Sequence, residues 1–485
     1  MPNPVFPSGL DVAIGRPISG TDGKTVLGNA ALGNILDGDP ASQWCPSSRS
    51  HTYTLKIDLG ADRRLTGSAI TWASTASGFT ATLEVLRGSQ WQPVHSDSQP
   101  VLAWATRISA FDASARYVRL SVTGSQALPC IGALRLFAWV SNMPAMLIGH
   151  DLSTLIQLED IGKSFSENGI TAPAEQILAR HHGNLVRLRL WVDPEAGFNN
   201  LAQVKRMALR SKAAGMKFLL DLHYSDTWAD PGHQDIPARW RGQDLPTLAQ
   251  SLREYTRDVI AELAFQGTAP DMVQVGNEIT NGMLYPLGKI QGSSQDGFKD
   301  FATLLRAGIE GARAGMPANA PLEVMVHVDR GSNAFLTQSF FERITTAGVP
   351  FDVIGLSYYP YWNGPLGSLR TSIDGLAKRF HKPIVIAETA YPWTFANADG
   401  YPNIIGPSSA LPPMYAATPG GQGLFLRDLA SLVARTPGGL GRGLIYWESA
   451  WLAGIPWKPG AGNGWDNQTL FDANGQVLES LAAFD

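Results

Sequence analysis

Along the first third of the chain, apolar and polar residues alternate with a period of two. In Tyr53-Thr-Leu-Lys-Ile-Asp-Leu-Gly60 the apolar set is Tyr53, Leu55, Ile57 and Leu59, the signature of a strand with one buried face. Ser68–Ala73, Thr80–Gly88, Arg116–Val122 and Ile131–Val140 read the same way, separated by turn residues and with no long amphipathic helix between them. The pattern predicts a β-sandwich module over residues 1–141.

From Met146 the period changes. Eight short apolar runs begin near positions 146, 184, 217, 271, 323, 352, 382 and 443. Between and after them, helical spacing predicts helices over 173–182, 200–214, 245–263, 297–314, 332–347, 368–380, 421–436 and 474–484. Eight strand–helix units over residues 142–485 fit a closed (β/α)8 (TIM) barrel. An open doubly wound sheet fits less well. Gly149-His-Asp-Leu-Ser, at the end of the first run, lacks the GxGxxG spacing that such a sheet uses to hold a dinucleotide.

In a barrel of this kind, chemistry gathers where the strands end. The ends read in order as Asp151; Arg189; His223; Asn277 and Glu278; His327 and Asp329; Tyr358 and Tyr359; Glu388; Trp447 and Glu448. All eight carry polar or aromatic groups, more than an ordinary barrel rim requires. Glu278 and Glu388 end strands four and seven, which face each other across the barrel. Two such carboxylates can divide glycosidic cleavage, one protonating the leaving oxygen and the other attacking the anomeric carbon. The sequence supplies no separation between them, so retention and inversion both stay open on the residues alone. Asn277 is placed to bind a sugar 2-hydroxyl, and Arg189 with Tyr358 or Tyr359 to hold Glu388 ionised. Two rim carboxylates held in salt bridges are the structural alternative. A catalytic metal is disfavoured: His223 and His327 have no HExxH-type spacing, and cysteine is too scarce to help.

Composition narrows the classes. Charged residues make up 16% of the 485, with 38 basic against 42 acidic, so no cationic field exists to hold nucleic acid. No apolar run is long enough to span a membrane. Fourteen tryptophans on a charge-poor chain suit a neutral ring-shaped ligand. Two cysteines, Cys45 and Cys130, can pair with each other, although their spacing does not establish it.

Five segments carry a resemblance. Leu220-Asp-Leu-His-Tyr-Ser-Asp-Thr-Trp-Ala-Asp-Pro231, Val275-Gly-Asn-Glu-Ile-Thr-Asn-Gly282, Ile354-Gly-Leu-Ser-Tyr-Tyr-Pro-Tyr-Trp362 and Ile386-Ala-Glu-Thr-Ala-Tyr-Pro392 resemble the arabinogalactan endo-β-1,4-galactanases of glycoside hydrolase family 53, as does Trp465-Asp-Asn-Gln-Thr-Leu-Phe-Asp472. The resemblance implies a retaining endo-hydrolase of β-1,4-galactan or type I arabinogalactan, the side chains of pectin. Glu388 would be the nucleophile and Glu278 the acid/base. Asp151, Arg189, His223, Asp226, Trp228, Asn277, His327, Asp329, Tyr358, Tyr359, Trp362 and Trp447 would form the substrate-binding cleft. No cofactor is implied for catalysis. A structural calcium in the loops after strands seven and eight is implied by some bacterial relatives, with Asp399, Asn403, Asp466 and Asn467 as candidate ligands. His150 and Arg330 depart from the family pattern, and His150 is expected to alter a subsite. A mannanase, a cellulase and a non-catalytic polysaccharide-binding barrel are the competing readings.

The front module resembles the discoidin-like, coagulation-factor type C sandwich through Asn34-Ile-Leu-Asp-Gly-Asp-Pro-Ala-Ser-Gln-Trp44 and Ala115-Arg-Tyr-Val-Arg-Leu120. Sugar binding through Trp44 or Trp91 is one expectation for it. The Trp139–Ala145 joint reads as short and tight rather than as a flexible tether. The polysaccharide substrate implies a secreted monomer. Met1-Pro-Asn-Pro carries no leader pattern, so any leader is expected to have been removed.

Overall fold

Two long strands, Thr52–Trp72 and Ala105–Gly124, form the spine of the front module in the computed structural model. The structure describes residues 9–21, 32–38, 42–46, 51–125, 128–138, 146–195, 197–290, 295–458 and 460–484. The two strands pair antiparallel, with register shifts between Asp58 and Arg63 and between Leu65 and Gly67. Sequence reading split the first of them at Gly60; the interruption is absorbed as an irregularity inside one strand instead of a turn. Phe79–Arg87, Gln90–Asp97, Ile131–Ala138, Leu10–Asp11 and Ile18–Thr21 complete a seven-stranded antiparallel sheet. It encloses a core that includes Tyr53, Leu55, Ile57, Trp72 and Leu120. Gln90–Asp97 was not legible as a strand because it is the sheet's edge. Its pattern is only half buried, and Pro93 is tolerated where a backbone donor is not needed.

Trp44 belongs to this core. It is 5% exposed and meets Tyr53 edge-on at 4.9 Å, so it is not a sugar platform. Trp91 is half-buried, with the Arg119 guanidinium 4.5 Å from its ring. Cys45 and Cys130 are joined in a disulfide, 85 residues apart in sequence. Closing a loop of that length restricts the unfolded chain, so replacing both cysteines by serine is expected to cost about 2–4 kcal/mol. Thermal unfolding of the double variant checks this; an unchanged midpoint would mean that the bridge contributes nothing.

The barrel follows the predicted order. Its strands are Leu147–Asp151, Leu185–Leu190, Lys217–Leu222, Met272–Val275, Glu323–Val328, Val353–Ser357, Ile384–Thr389 and Gly441–Tyr446, all parallel and closed into a ring. Inward side chains of alternate residues fill the bottom with an apolar plug that includes Leu147, Leu185, Leu219, Met272 and Val385. Above that plug the inward positions turn polar. Seven of the predicted helices form around it, from Ala174–Arg180 to Pro419–Ala434, but 474–484 yields only a short 3₁₀ segment at Glu479–Phe484.

The module and the barrel share a packed interface. Ala69, Ala133 and Phe137 of the sheet belong to the same apolar cluster as the barrel's outer residues. The described part of the module ends at Ala138 and that of the barrel starts at Met146, so the Trp139–Ala145 joint lies outside the described residues.

Candidate active site

Left-handed backbone marks four of the strand ends. Tyr224, Glu278, Arg330 and Glu448 have φ of 51°, 49°, 51° and 48°, values that non-glycine residues adopt at a cost. Such strain is characteristic of sites that must aim a side chain. Here it turns Glu278 into the barrel mouth directly after strand four. Glu388 lies within strand seven and points to the same space.

Both glutamates line one cavity of about 470 Å³ together with His223, Trp228, Asn277, Asp329, Tyr359, Trp362 and Trp447. These nine predicted residues are therefore brought together. Asp151 and His327 lie beneath the floor, each 0% exposed. Arg189 and Asp226 line a second cavity of about 510 Å³, divided from the first by Trp228 and Trp457, which line both. Tyr358 is not in the cleft: its hydroxyl donates to the Gly364 carbonyl and its ring packs on Phe425. His150 also points away. Strand alternation sends it outward to Ser449 and Phe484 while Asp151 faces in, so it does not alter a subsite. Arg330 does reach the rim, where it pairs with Asp329 at 2.7 Å.

The environments of the two glutamates differ. Glu388 is 6% exposed; Arg187 donates to its Oε1 at 2.8 Å and the Tyr359 hydroxyl to its Oε2 at 3.0 Å. Burial pushes it up to about 7, against the opposing pull of Arg187. Among the described residues, no cation pairs with Glu278. It accepts from the Ser357 hydroxyl at 2.5 Å, and burial, with the charge of Glu388 added, holds it well above the ordinary carboxylate range. The proton shared by the pair therefore resides on Glu278, and Glu388 ionises first.

A stability consequence follows from the sign of the Glu278 shift. The folded state binds this proton more tightly than the unfolded chain, so the associated stability is present below the ordinary glutamate range and is lost as pH rises above it. Glu278→Gln is expected to unfold at higher temperature than the parent at pH 7, with the gap closing near pH 4. Calorimetry at the two pH values tests it, and a variant less stable at pH 7 overturns it.

The cation beside Glu388 corrects the sequence reading. Arg187, not Arg189, holds it, and also pairs at 2.8 Å with Asp151 and with Asp221. Arg189 pairs instead with Glu448 at 2.9 Å, its guanidinium 4.0 Å from the Trp228 ring. His223 is oriented by Asp221 at 3.0 Å on Nε2, while its Nδ1 accepts from the Ala229 amide. His327 donates from Nε2 to the Ser357 hydroxyl oxygen at 2.8 Å and accepts the Gln274 amide on Nδ1 at 3.1 Å; burial holds it well below the usual histidine range, so it serves as a neutral spacer. Asn277 keeps one amide hydrogen on the Ala229 carbonyl at 2.8 Å, which leaves the other for a ligand.

Sequence reasoning missed Ser357, Asp230, Asn363, Trp457 and Trp465, all of which line the cleft. Ser357 was legible as the inward residue of strand six. Trp457 and Trp465 sit in the long loop after strand eight, where strand-end logic does not reach. Trp228 and Trp457 stack at 5.0 Å with planes 11° apart, and Trp447 meets Trp465 edge-on at 4.7 Å.

Among the candidate metal ligands, both carboxylate oxygens of Asp466 and the side-chain oxygens of Asn403 and Asn467 are buried without a hydrogen-bond partner. Burial and the charge of Asp399 push Asp466 up to about 6. Asp399 itself accepts from the Tyr401 and Asn463 amides. Unpartnered oxygens of this kind suit a hard cation. Among the described residues, no group of three or more His, Cys, Asp or Glu side chains is arranged around one point.

Comparison with known proteins gives matching results. The model "Glycosyl hydrolase family 53" matches residues 147–484, and "F5/8 type C domain" matches 21–134. An arabinogalactan endo-beta-1,4-galactanase of Cellvibrio japonicus is 37% identical over 71% of this chain and 91% of its own. A protein of Niallia circulans, described only by its position in the bgaB 5' region, is 41% identical over 70% of this chain and 93% of its own. The solved GH53 catalytic domain of Ignisphaera aggregans is 35% identical, with a TM-score of 0.66 over 71% of this chain and 97% of that one.

Proposed function

Because the chain belongs to glycosyl hydrolase family 53, we propose that it cuts β-1,4-galactan or the galactan backbone of type I arabinogalactan internally, by double displacement. One observation carries the mechanism: Glu278 and Glu388 share a cavity but stand in opposite electrostatic settings, one with a cation and one without. Glu388 attacks the anomeric carbon while Glu278 gives its proton to the leaving oxygen. Glu278 then takes a proton from the water that releases the sugar. The aromatic walls, with Trp362 more than half exposed at the rim, hold successive rings by stacking, and Asn277, itself held by Arg187, positions the unit that reacts. Arg189 and its orphaned Nε and Nη1 extend the polar lining into the second cavity, where more distant sugar units lie.

Incubation with debranched galactan, mannan, xylan and cellulose tests the substrate. Galactan should be shortened from within, and cleavage of only the other three would overturn the reading. The product read at once by NMR should be the β anomer; α first means inversion. Activity should fall on the acid side as Glu388 takes up a proton and on the alkaline side as Glu278 loses its own.

A structural calcium would be held in the loops after strands seven and eight by Asp466, Asn467, Asn403 and Asp399. It would clamp the loops and takes no part in the chemistry. Saturating calcium, at about 100 times its dissociation constant, should raise stability by about 2.7 kcal/mol. Thermal unfolding with and without a chelator reads this, and Asp466→Asn should abolish the difference.

A further inference from the structure

The Pro419–Ala434 helix is an outer helix of the barrel, yet every residue from Gly421 to Val433 is buried. A helix with no wet face needs cover on both sides. The barrel covers one and the front module the other. At the centre of that second contact, Arg135 of the module forks onto Asp428 of the helix, with Nη2 2.7 Å from Oδ2 and Nε 2.8 Å from Oδ1. Each residue is only 3% exposed. Asp428 Oδ2 also accepts the Tyr415 hydroxyl, and Arg135 Nη1 donates to Thr71 within the module at 3.0 Å.

Tyr415 leads back to the reaction centre. Its carbonyl accepts the Tyr391 hydroxyl at 2.6 Å, and Tyr391 lies three residues after Glu388. The Tyr391 carbonyl is held by Gln422 of the same buried helix at 2.7 Å. Tyr391 also packs on Tyr361 at 6.4 Å, and Tyr361 on Tyr359 at 5.9 Å, whose hydroxyl holds Glu388. We propose that Arg135 is a positioning residue for cleavage: through Asp428 and Tyr415, the front module braces the strand-seven end that carries Glu388 and its partner Tyr359. The module thus acts as a buttress of the catalytic barrel. Relatives matched over more than nine-tenths of their own length account for only about 70% of this chain, which leaves them no counterpart of this module.

Without Arg135, Asp428 is a buried carboxylate with no counter-charge, and the helix must shift to admit water or a proton. The rate readout rests on the galactanase reading above; the exchange readout does not. In full-length Arg135→Met, kcat on galactan should fall by about 10-fold or more, since small displacements at a reacting centre have such effects. KM should stay within about twofold, because the aromatic walls on the strand-eight loop are untouched. Amide exchange across residues 391–415 should quicken. Arg135→Met/Asp428→Asn removes the orphaned charge together with the fork, so what it still loses reads the missing brace alone: kcat should stay about tenfold below the parent and exchange across 391–415 should stay quickened. Arg135→Lys keeps the charge and should recover part of both. The proposal is overturned if Arg135→Met or the double variant matches the parent in kcat and exchange. If the single variant does not fold, the double variant decides alone by the same criterion. A parent that leaves galactan intact defeats the functional reading, and the exchange comparison still tests the brace.

Discussion

Glu388→Gln is expected to lose galactan cleavage by roughly 10⁴-fold or more, as removal of a catalytic nucleophile usually does. The amide is nearly the same shape and keeps an oxygen for Arg187 Nη2, so the cleft should form and bind the chain. What it cannot do is attack the anomeric carbon. The loss should therefore fall on kcat, with KM little changed. Glu278→Gln makes the informative contrast. Its loss on galactan should be smaller, about 10²–10⁴-fold, the usual weight of general acid–base help. On an aryl galactoside whose leaving group needs no proton, the Glu278 variant should regain its first step, and the Glu388 variant should not. A Glu388 variant within tenfold of the parent, or equal rescue of both, would reverse or abolish the assigned roles.

Arg187→Met is expected to have the largest effect on stability. Arg187 is 1% exposed and lies within 2.8 Å of carboxylate oxygens of Asp151, Asp221 and Glu388. Burial and the Arg187 charge act oppositely on Asp221, and the cation prevails, holding it down to about 2. Without the guanidinium, three buried carboxylates share no counter-charge in the middle of the barrel. Breaking one buried pair costs about 3–5 kcal/mol, and this change breaks three around a single centre. Urea unfolding should show at least that loss at pH 7. Part of it should return as pH falls and the carboxylates take up protons. Glu388 would also become harder to ionise, so the acid limb of the rate profile should move to higher pH, and turnover should fall about 10²–10³-fold. Near-parent stability in this variant would mean that the network is not charged as described.

The barrel was legible because its signal repeats: eight apolar runs, each ending in polar residues, leave little choice of architecture. Glu278 and Glu388 were legible because they lie at or just past the ends of strands whose positions that repeat had fixed. Depth was not. In Leu185-Val-Arg-Leu-Arg-Leu190 both arginines face inward by alternation, and period alone cannot say which layer lies beside a glutamate from strand seven. The same alternation separates Ser357 from Tyr358: the serine reaches Glu278, whereas the tyrosine points into the outer core. Trp44 was ambiguous for a different reason. Indole suits both a buried core and a sugar platform, and only its packing on Tyr53 decides between them. Trp457 and Trp465 come from a loop whose path depends on contacts made far away in sequence, among them the Trp228 indole donating to the Trp457 carbonyl.

The pavement formed by Trp228, Trp451 and Trp457, nearly parallel and 5.0–5.9 Å apart, has an optical consequence. Indoles this close exchange excitation, so their near-ultraviolet circular dichroism is that of a coupled array and not a sum of separate rings. The array forms the wall between the two cavities. A sugar seated against either side should therefore alter the coupled signal, a gauge of occupancy readable without a label and before any bond is cut.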